Sequence, residues 1–135
     1  MCLSRWNENA LLLWQDLKAN YDGRYTDADG SEREYREALT AVDHFGIANA
    51  FGLSDMHGNV WEWYQDYWHG NCKDAPRDGS AWLTLGENGY RVLRGGSWTF
   101  NPRNCRSAFR YLNQPSHRLN SLSFRVCCSP PRALQ

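Results

Sequence analysis

The sequence lacks an excess of charge of either sign: 15 Lys and Arg balance 15 Asp and Glu, for a formal net charge of zero. A balanced chain has no long-range field to draw it to nucleic acid or to an anionic membrane surface, so neither is expected as a partner. Zero net charge also favours self-association, which leaves a homo-oligomer open. No run of about 18 apolar residues occurs, which excludes a membrane-spanning helix by hydropathy. The stretch from Met1 to Trp14 places an acidic break before Leu11, Leu12 and Leu13. That is not a secretory leader pattern, so the expectation is a cytoplasmic protein by default, with surface display by another route left open. Cysteine is scarce and irregular. Cys2, Cys72, Cys105, Cys127 and Cys128 are odd in number and have no framework spacing, so reduced thiols are expected. His44, His57 and His69 have no partner at metal-ligand spacing and read as structural or surface residues. Internal repeats and clear linkers are absent too.

Aromatic residues are abundant: 7 Trp, 7 Tyr and 5 Phe in 135 residues. Trp and Tyr serve cores, and they also serve binding surfaces, because each joins a wide apolar body to a polar tip. A chain of this length makes one domain with one core. Asn7 to Ala19 predicts the only helix, with Leu11, Trp14 and Leu17 on one stripe. Asn20 to Glu37 is polar and reads as loop. Val60 to Tyr64 and Tyr90 to Arg94 predict strands, the second broken or bulged at Gly95-Gly96. Asn101 to Ser121 predicts long surface loops, and Leu122 to Cys128 a final buried strand.

Three segments carry a family resemblance. They are Asn49-Ala50-Phe51-Gly52-Leu53-Ser54-Asp55-Met56-His57-Gly58-Asn59-Val60-Trp61-Glu62-Trp63, then Arg91-Val92-Leu93-Arg94-Gly95-Gly96-Ser97-Trp98, then Phe124-Arg125-Val126. Their order and separation resemble the formylglycine-generating enzyme, or sulfatase-modifying factor, family over roughly Asn20 to Cys128. The resemblance implies an α+β, C-type lectin-like fold of the formylglycine-generating-enzyme type. Its marks are short twisted antiparallel strands and long loops, here with one N-terminal helix. The chain then reads as a single domain over residues 1–135 that lacks the usual N-terminal part.

The resemblance also implies calcium as a structural cofactor. The ligands would be the carboxylates of Asp55 and Glu62 and the backbone carbonyls of Gly58 and Val60. Calcium accepts roughly six to eight oxygen ligands and takes carbonyls as well as carboxylates. Read on spacing alone, Asp55 caps a turn and Glu62 pairs with an Arg. A second calcium set would map to Asn20 and Glu34 through side chains and to Tyr21 and Arg36 through carbonyls.

The family's oxidase uses two cysteines that hold copper(I), a soft ion suited to thiolates. Phe100 occupies the first cysteine position and Cys105 the second. Phenylalanine ligates no metal, so neither copper nor oxidase activity is expected, and no catalytic residue is assigned. The alternative reading is a copper-dependent formylglycine-generating oxidase that uses Cys105 with another partner.

Positions 99–123 carry a second pattern. Pro102, Arg103, Arg106, Ser107, Ala108, Arg110, Pro115 and Arg118 read as scaffold. Between them stand Thr99, Phe100, Asn101, Phe109, Tyr111, Leu112, Asn113, Ser116, His117, Leu119, Asn120, Ser121 and Ser123. Each of these is reachable from an Asn codon by changing only adenines. Gln114, also in this set, needs a Lys or Gln codon as its source. The pattern resembles the variable proteins of diversity-generating retroelements, whose C-terminal lectin-fold residues are rewritten opposite template adenines. It implies a non-catalytic ligand-binding protein with a hypervariable face, binding a protein surface or a glycan. Exposed aromatics on a fixed frame supply binding energy, and Asn and Ser supply adaptable hydrogen bonds.

Overall fold

The computed structural model describes residues 18–25 and 32–127. Four short strands form one sheet: β1 (Trp61–Tyr67), β2 (Arg91–Arg94), β3 (Tyr111–Asn113) and β4 (Leu122–Ser123), in spatial order β3-β2-β1-β4. β1 is an aromatic run that suits a pleated, half-buried surface. β2 stops at Arg94 because Gly95 and Gly96 take φ values of 93° and 79°, a left-handed backbone that cannot extend a strand.

β2 pairs antiparallel with β1 and with β3, bringing Trp63, Leu93 and Tyr111 into one row. The β1–β2 register shifts between Trp63 and Tyr67, a bulge in β1. β4 runs parallel to β1, with Trp61 opposite Leu122. The sheet is therefore mixed, which corrects the expectation of antiparallel strands throughout. A parallel neighbour needs a long connection, and residues 68–121 supply it.

The core is small. Trp61, Leu93, Val92, Cys105 and Tyr21 are its buried apolar residues among those described. Three rings surround Trp61: Phe100 edge-on at 5.4 Å between centroids, Phe109 at 6.0 Å and Tyr111 stacked at 5.2 Å. Such pairs add to the stabilisation from area alone.

A polar hub at Gly58-Asn59 ties the loops to this core. The Asn59 amide N–H donates to the Asn20 carbonyl at 2.7 Å, and the Gly58 N–H to the Gly95 carbonyl at 2.7 Å. The Asn59 side chain accepts from the Thr40 N–H at 3.1 Å and donates to the Thr40 carbonyl at 3.2 Å. Asn20 Nδ2 donates to the Ala38 carbonyl at 2.8 Å. Three separate chain segments thus converge on one turn, so their buried backbone groups find partners without regular secondary structure.

Other expectations need correction. The helix over Asn7 to Ala19 lies outside the described residues except for Lys18 and Ala19, which are not helical, and no α-helix occurs among the described residues. The last strand is Leu122–Ser123 alone, and beyond it Phe124 and Val126 are 68% and 84% exposed rather than buried. The region expected to be loop contains β3 and a 3-10 turn at Pro102–Cys105. Cys72 is disulfide-bonded, against the expectation of reduced thiols, while Cys105 and Cys127 are free. No helix among the described residues is long and apolar enough to cross a membrane.

Candidate functional site

An open groove of about 600 Å3 lies between β1 and the β3–β4 connection. Trp63, Tyr64 and Arg91 line it from the sheet, and Pro115, His117, Arg118 and Leu119 from the connection. Leu122, Ser123 and Phe124 complete it. Consecutive residues of a regular strand face opposite sides. The bulge that follows Trp63 relaxes this alternation, and both Trp63 and Tyr64 reach the groove. Its volume is within the range of small-ligand and peptide side-chain sites.

The groove has a definite electrical character. Arg91 stacks its guanidinium 3.5 Å from the Tyr67 ring centroid and donates to the Gln65 carbonyl. Arg118 donates to the Pro115 carbonyl at 2.8 Å and the His117 carbonyl at 3.0 Å. Both cations are held by neutral acceptors, and no Asp or Glu is among the lining residues.

The residues singled out at positions 99–123 are placed in four ways. His117, Leu119 and Ser123 are exposed and line the groove. Thr99, Tyr111, Gln114, Ser116 and Asn120 are exposed elsewhere along the same stretch. Phe100, Asn101, Phe109, Leu112 and Asn113 are half-buried, and Phe100 and Phe109 rest on Trp61. Ser121 is buried, and its carbonyl accepts from the Trp61 N–H at 2.8 Å. The sequence reading did not single out Trp63, Tyr64, Arg91, Leu122 or Phe124 as groove residues. Trp63, Arg91 and Phe124 carried only the signal of the motifs, and Tyr64 and Leu122 only that of a predicted strand, and both look alike whether they build a core or a wall.

Cys105 is fully buried, with its carbonyl bonded to His57 Nδ1 at 2.7 Å. Burial pushes its thiol up to about 12. A buried neutral thiol is a poor nucleophile and a poor metal ligand. Phe100, at the position where the family's first cysteine stands, fills space against Trp61.

The two expected calcium sets differ. In the first, Arg125 Nε donates to Glu62 Oε1 at 2.8 Å and to Oε2 at 2.9 Å, so both carboxylate oxygens are engaged by a cation. Arg125 Nη2 also reaches the Ser54 carbonyl at 3.2 Å. Asp55 Oδ2 accepts from the Asp43 N–H at 2.7 Å. A divalent cation would have to displace Arg125, so Asp55, Gly58, Val60 and Glu62 as arranged do not fit one. In the second set, Asn20 is buried with its Nδ2 fixed by two acceptors, which orients Oδ1 as a buried acceptor with no partner. Tyr21 is buried beside it, and Glu34 is exposed and paired with Arg36 at 2.6 Å. An orphaned buried oxygen is what a missing hard cation would leave. Asn20 Oδ1 is the one side-chain oxygen of the two sets left as a buried acceptor without a partner.

Short strands, a Gly-Asn hub that fixes the loops and a buried central Trp define a loop-built domain of the formylglycine-generating-enzyme-like type. The Sulfatase-modifying factor enzyme 1-like domain family matches residues 6–130, and the chain belongs to that family. It is 30% identical over 96% of its length to Inactive C-alpha-formylglycine-generating enzyme 2 of Mus musculus. Among solved structures, it is similar to PvdO from Pseudomonas aeruginosa, with a TM-score of 0.63 and 38% identity over 78% of the chain. It is also similar to Treponema denticola variable protein 1, with a TM-score of 0.55 and 26% identity over 91% of the chain. The chain spans 36%, 37% and 39% of the lengths of these three relatives.

Proposed function

We propose that this chain is a non-catalytic ligand-binding protein, a variable protein of a diversity-generating retroelement, and that positions 99–123 form its diversified face. The observation that carries the reading is the groove, whose walls combine positions of the set read as variable (His117, Leu119, Ser123) with positions outside that set. Similarity to Treponema denticola variable protein 1 supports it. So does Phe100, which leaves the buried Cys105 without a second thiol at the family's copper position. The test is the DNA flanking the gene. A near-copy of the codons for Trp98 to Phe124, differing only opposite adenines, is expected. A copy with differences at other bases, or no copy, overturns the diversified reading.

Calcium belongs to this proposal as a structural cofactor that holds the loops. Asn20 Oδ1 and the Tyr21 carbonyl, with Glu34 and the Arg36 carbonyl, would hold it, supported by the unpartnered Asn20 oxygen. The ion would supply charge to a loop junction and take no part in ligand chemistry.

A further inference from the structure

The groove mixes two kinds of residue that the diversified reading separates. His117, Leu119 and Ser123 belong to the set read as variable, whereas Pro115 and Arg118 belong to the scaffold set and Trp63, Arg91 and Phe124 lie outside positions 99–123. If the first group is rewritten between variants, the second stays. Both arginines of the groove are in the group that stays, and both are positioned by local contacts. Arg91 is clamped by the Tyr67 ring and the Gln65 carbonyl, and Arg118 by the carbonyls of its own loop.

These contacts satisfy some of the N–H donors but neutralise neither charge. Each guanidinium carries five donors, and carbonyl acceptors carry no compensating negative charge. Arg24, Arg36 and Arg125, by contrast, each pair with a carboxylate. Among the described residues no carboxylate pairs with Arg91 or Arg118, so the groove presents two cations against apolar walls, Trp63 on one side and Leu119 and Phe124, 56% and 68% exposed, on the other.

We propose that the groove takes an extended acidic and apolar segment of a protein, with Arg91 and Arg118 as a constant anchor for its carboxylates. The adjoining rewritten positions then choose among the apolar neighbours. Charge complementarity favours this occupant, because a guanidinium and a carboxylate form paired, charge-assisted hydrogen bonds. A glycan is less well served. Sugar hydroxyls donate as well as accept, and the groove offers no carboxylate to receive them. Aliphatic Leu119, Leu122 and Pro115 suit apolar side chains better than sugar rings. The acidic preference rests on the ligand-binding reading alone and only the constancy of its anchor on a template copy, so the two fail separately.

The probe is a random 12-residue peptide library displayed on phage, selected against the intact chain. Asp and Glu are expected at about twice their input frequency or more in the selected pool, next to apolar residues. For one selected peptide, R118Q or R91Q should weaken binding by roughly tenfold or more, the loss of a charged hydrogen-bonded contact. R118K should recover part of it. Thermal melting of each variant separates lost binding from lost folding, and R91Q serves if R118Q does not fold. Joint substitution of His117, Leu119 and Ser123 by Ala should change the apolar preference and keep the acidic one. A pool without acidic excess, no recovery above background, or binding confined to an array of uronate oligosaccharides overturns the proposal.

Discussion

Arg125 closes its guanidinium on the Glu62 carboxylate from 63 residues away, engaging both oxygens, and its far side reaches the Ser54 carbonyl. One side chain thereby joins β1, the turn before the Gly-Asn hub and the segment after β4. The hydrogen bond to Glu62 raises the Arg125 pKa, so the guanidinium is charged at any working pH. Glu62→Gln leaves this cation half-buried without its counter-charge and should cost about 1–3 kcal/mol in a denaturant melt. The cost stays below that of a fully buried pair because the Arg125 side chain is 33% exposed.

The same pair distinguishes the two proposed calcium sets. Calcium should raise the melting temperature of the chain, and Glu34→Gln, an exposed change, should reduce that rise. Glu62→Gln should lower the baseline but keep the rise. If Glu62→Gln alone removes the calcium effect, the ion sits at the first set, with Arg125 displaced.

Cys105 should resist alkylation. Its thiol is pushed from the usual 9 to about 12 by burial, so almost no thiolate exists at pH 8. Iodoacetamide should label Cys127 in the folded chain and Cys105 only after denaturant, as mass spectrometry would read. The linkage has a defined sign. The folded pKa is raised, so the contribution is fully present below pH 9 and is lost as pH rises towards 12. Rapid labelling of Cys105 under native conditions would reopen the oxidase reading.

Gly58 admits no side chain. Its φ is 76°, and a Cβ there would lie 2.3 Å from the Asn20 carbonyl oxygen. Gly58→Ala adds left-handed strain to a clash with backbone that cannot swing away, for on the order of 3 kcal/mol or more. Circular dichroism should find the variant unfolded or far less stable. An unchanged melt would mean that the hub is not the junction described.

The diversified positions should separate by burial. Substituting His117, Leu119 or Ser123 should change stability by about 0.5 kcal/mol or less. Phe100→Ala removes a ring from Trp61 and should cost about 1–3 kcal/mol, and Trp61→Ala about 3–5 kcal/mol. Ser121→Tyr, at a buried position, should also destabilise. A melt series over the five of these sites that lie within positions 99–123, with Trp61 as the core reference, measures how much of the face is free to vary.

The sequence by itself determined the family motifs, strands β1 and β2, and Cys105 as a thiol without its usual partner. Each depends on local residue chemistry: aromatic and β-branched runs for strands, paired glycines for a stop, phenylalanine's lack of a donor atom. It offered two readings of Glu62, a metal ligand or the partner of an arginine, and spacing could not choose because Arg125 is remote in sequence. Only the tertiary structure brought Arg125 to Glu62, set β4 parallel to β1, and turned a polar stretch into the edge strand β3. It also divided positions 99–123 into groove wall, exposed surface and core, since a codon pattern carries no information about which side of the sheet a residue meets. Side-chain identity is local, whereas burial and charge compensation arise from segments that meet only when the chain closes on Trp61.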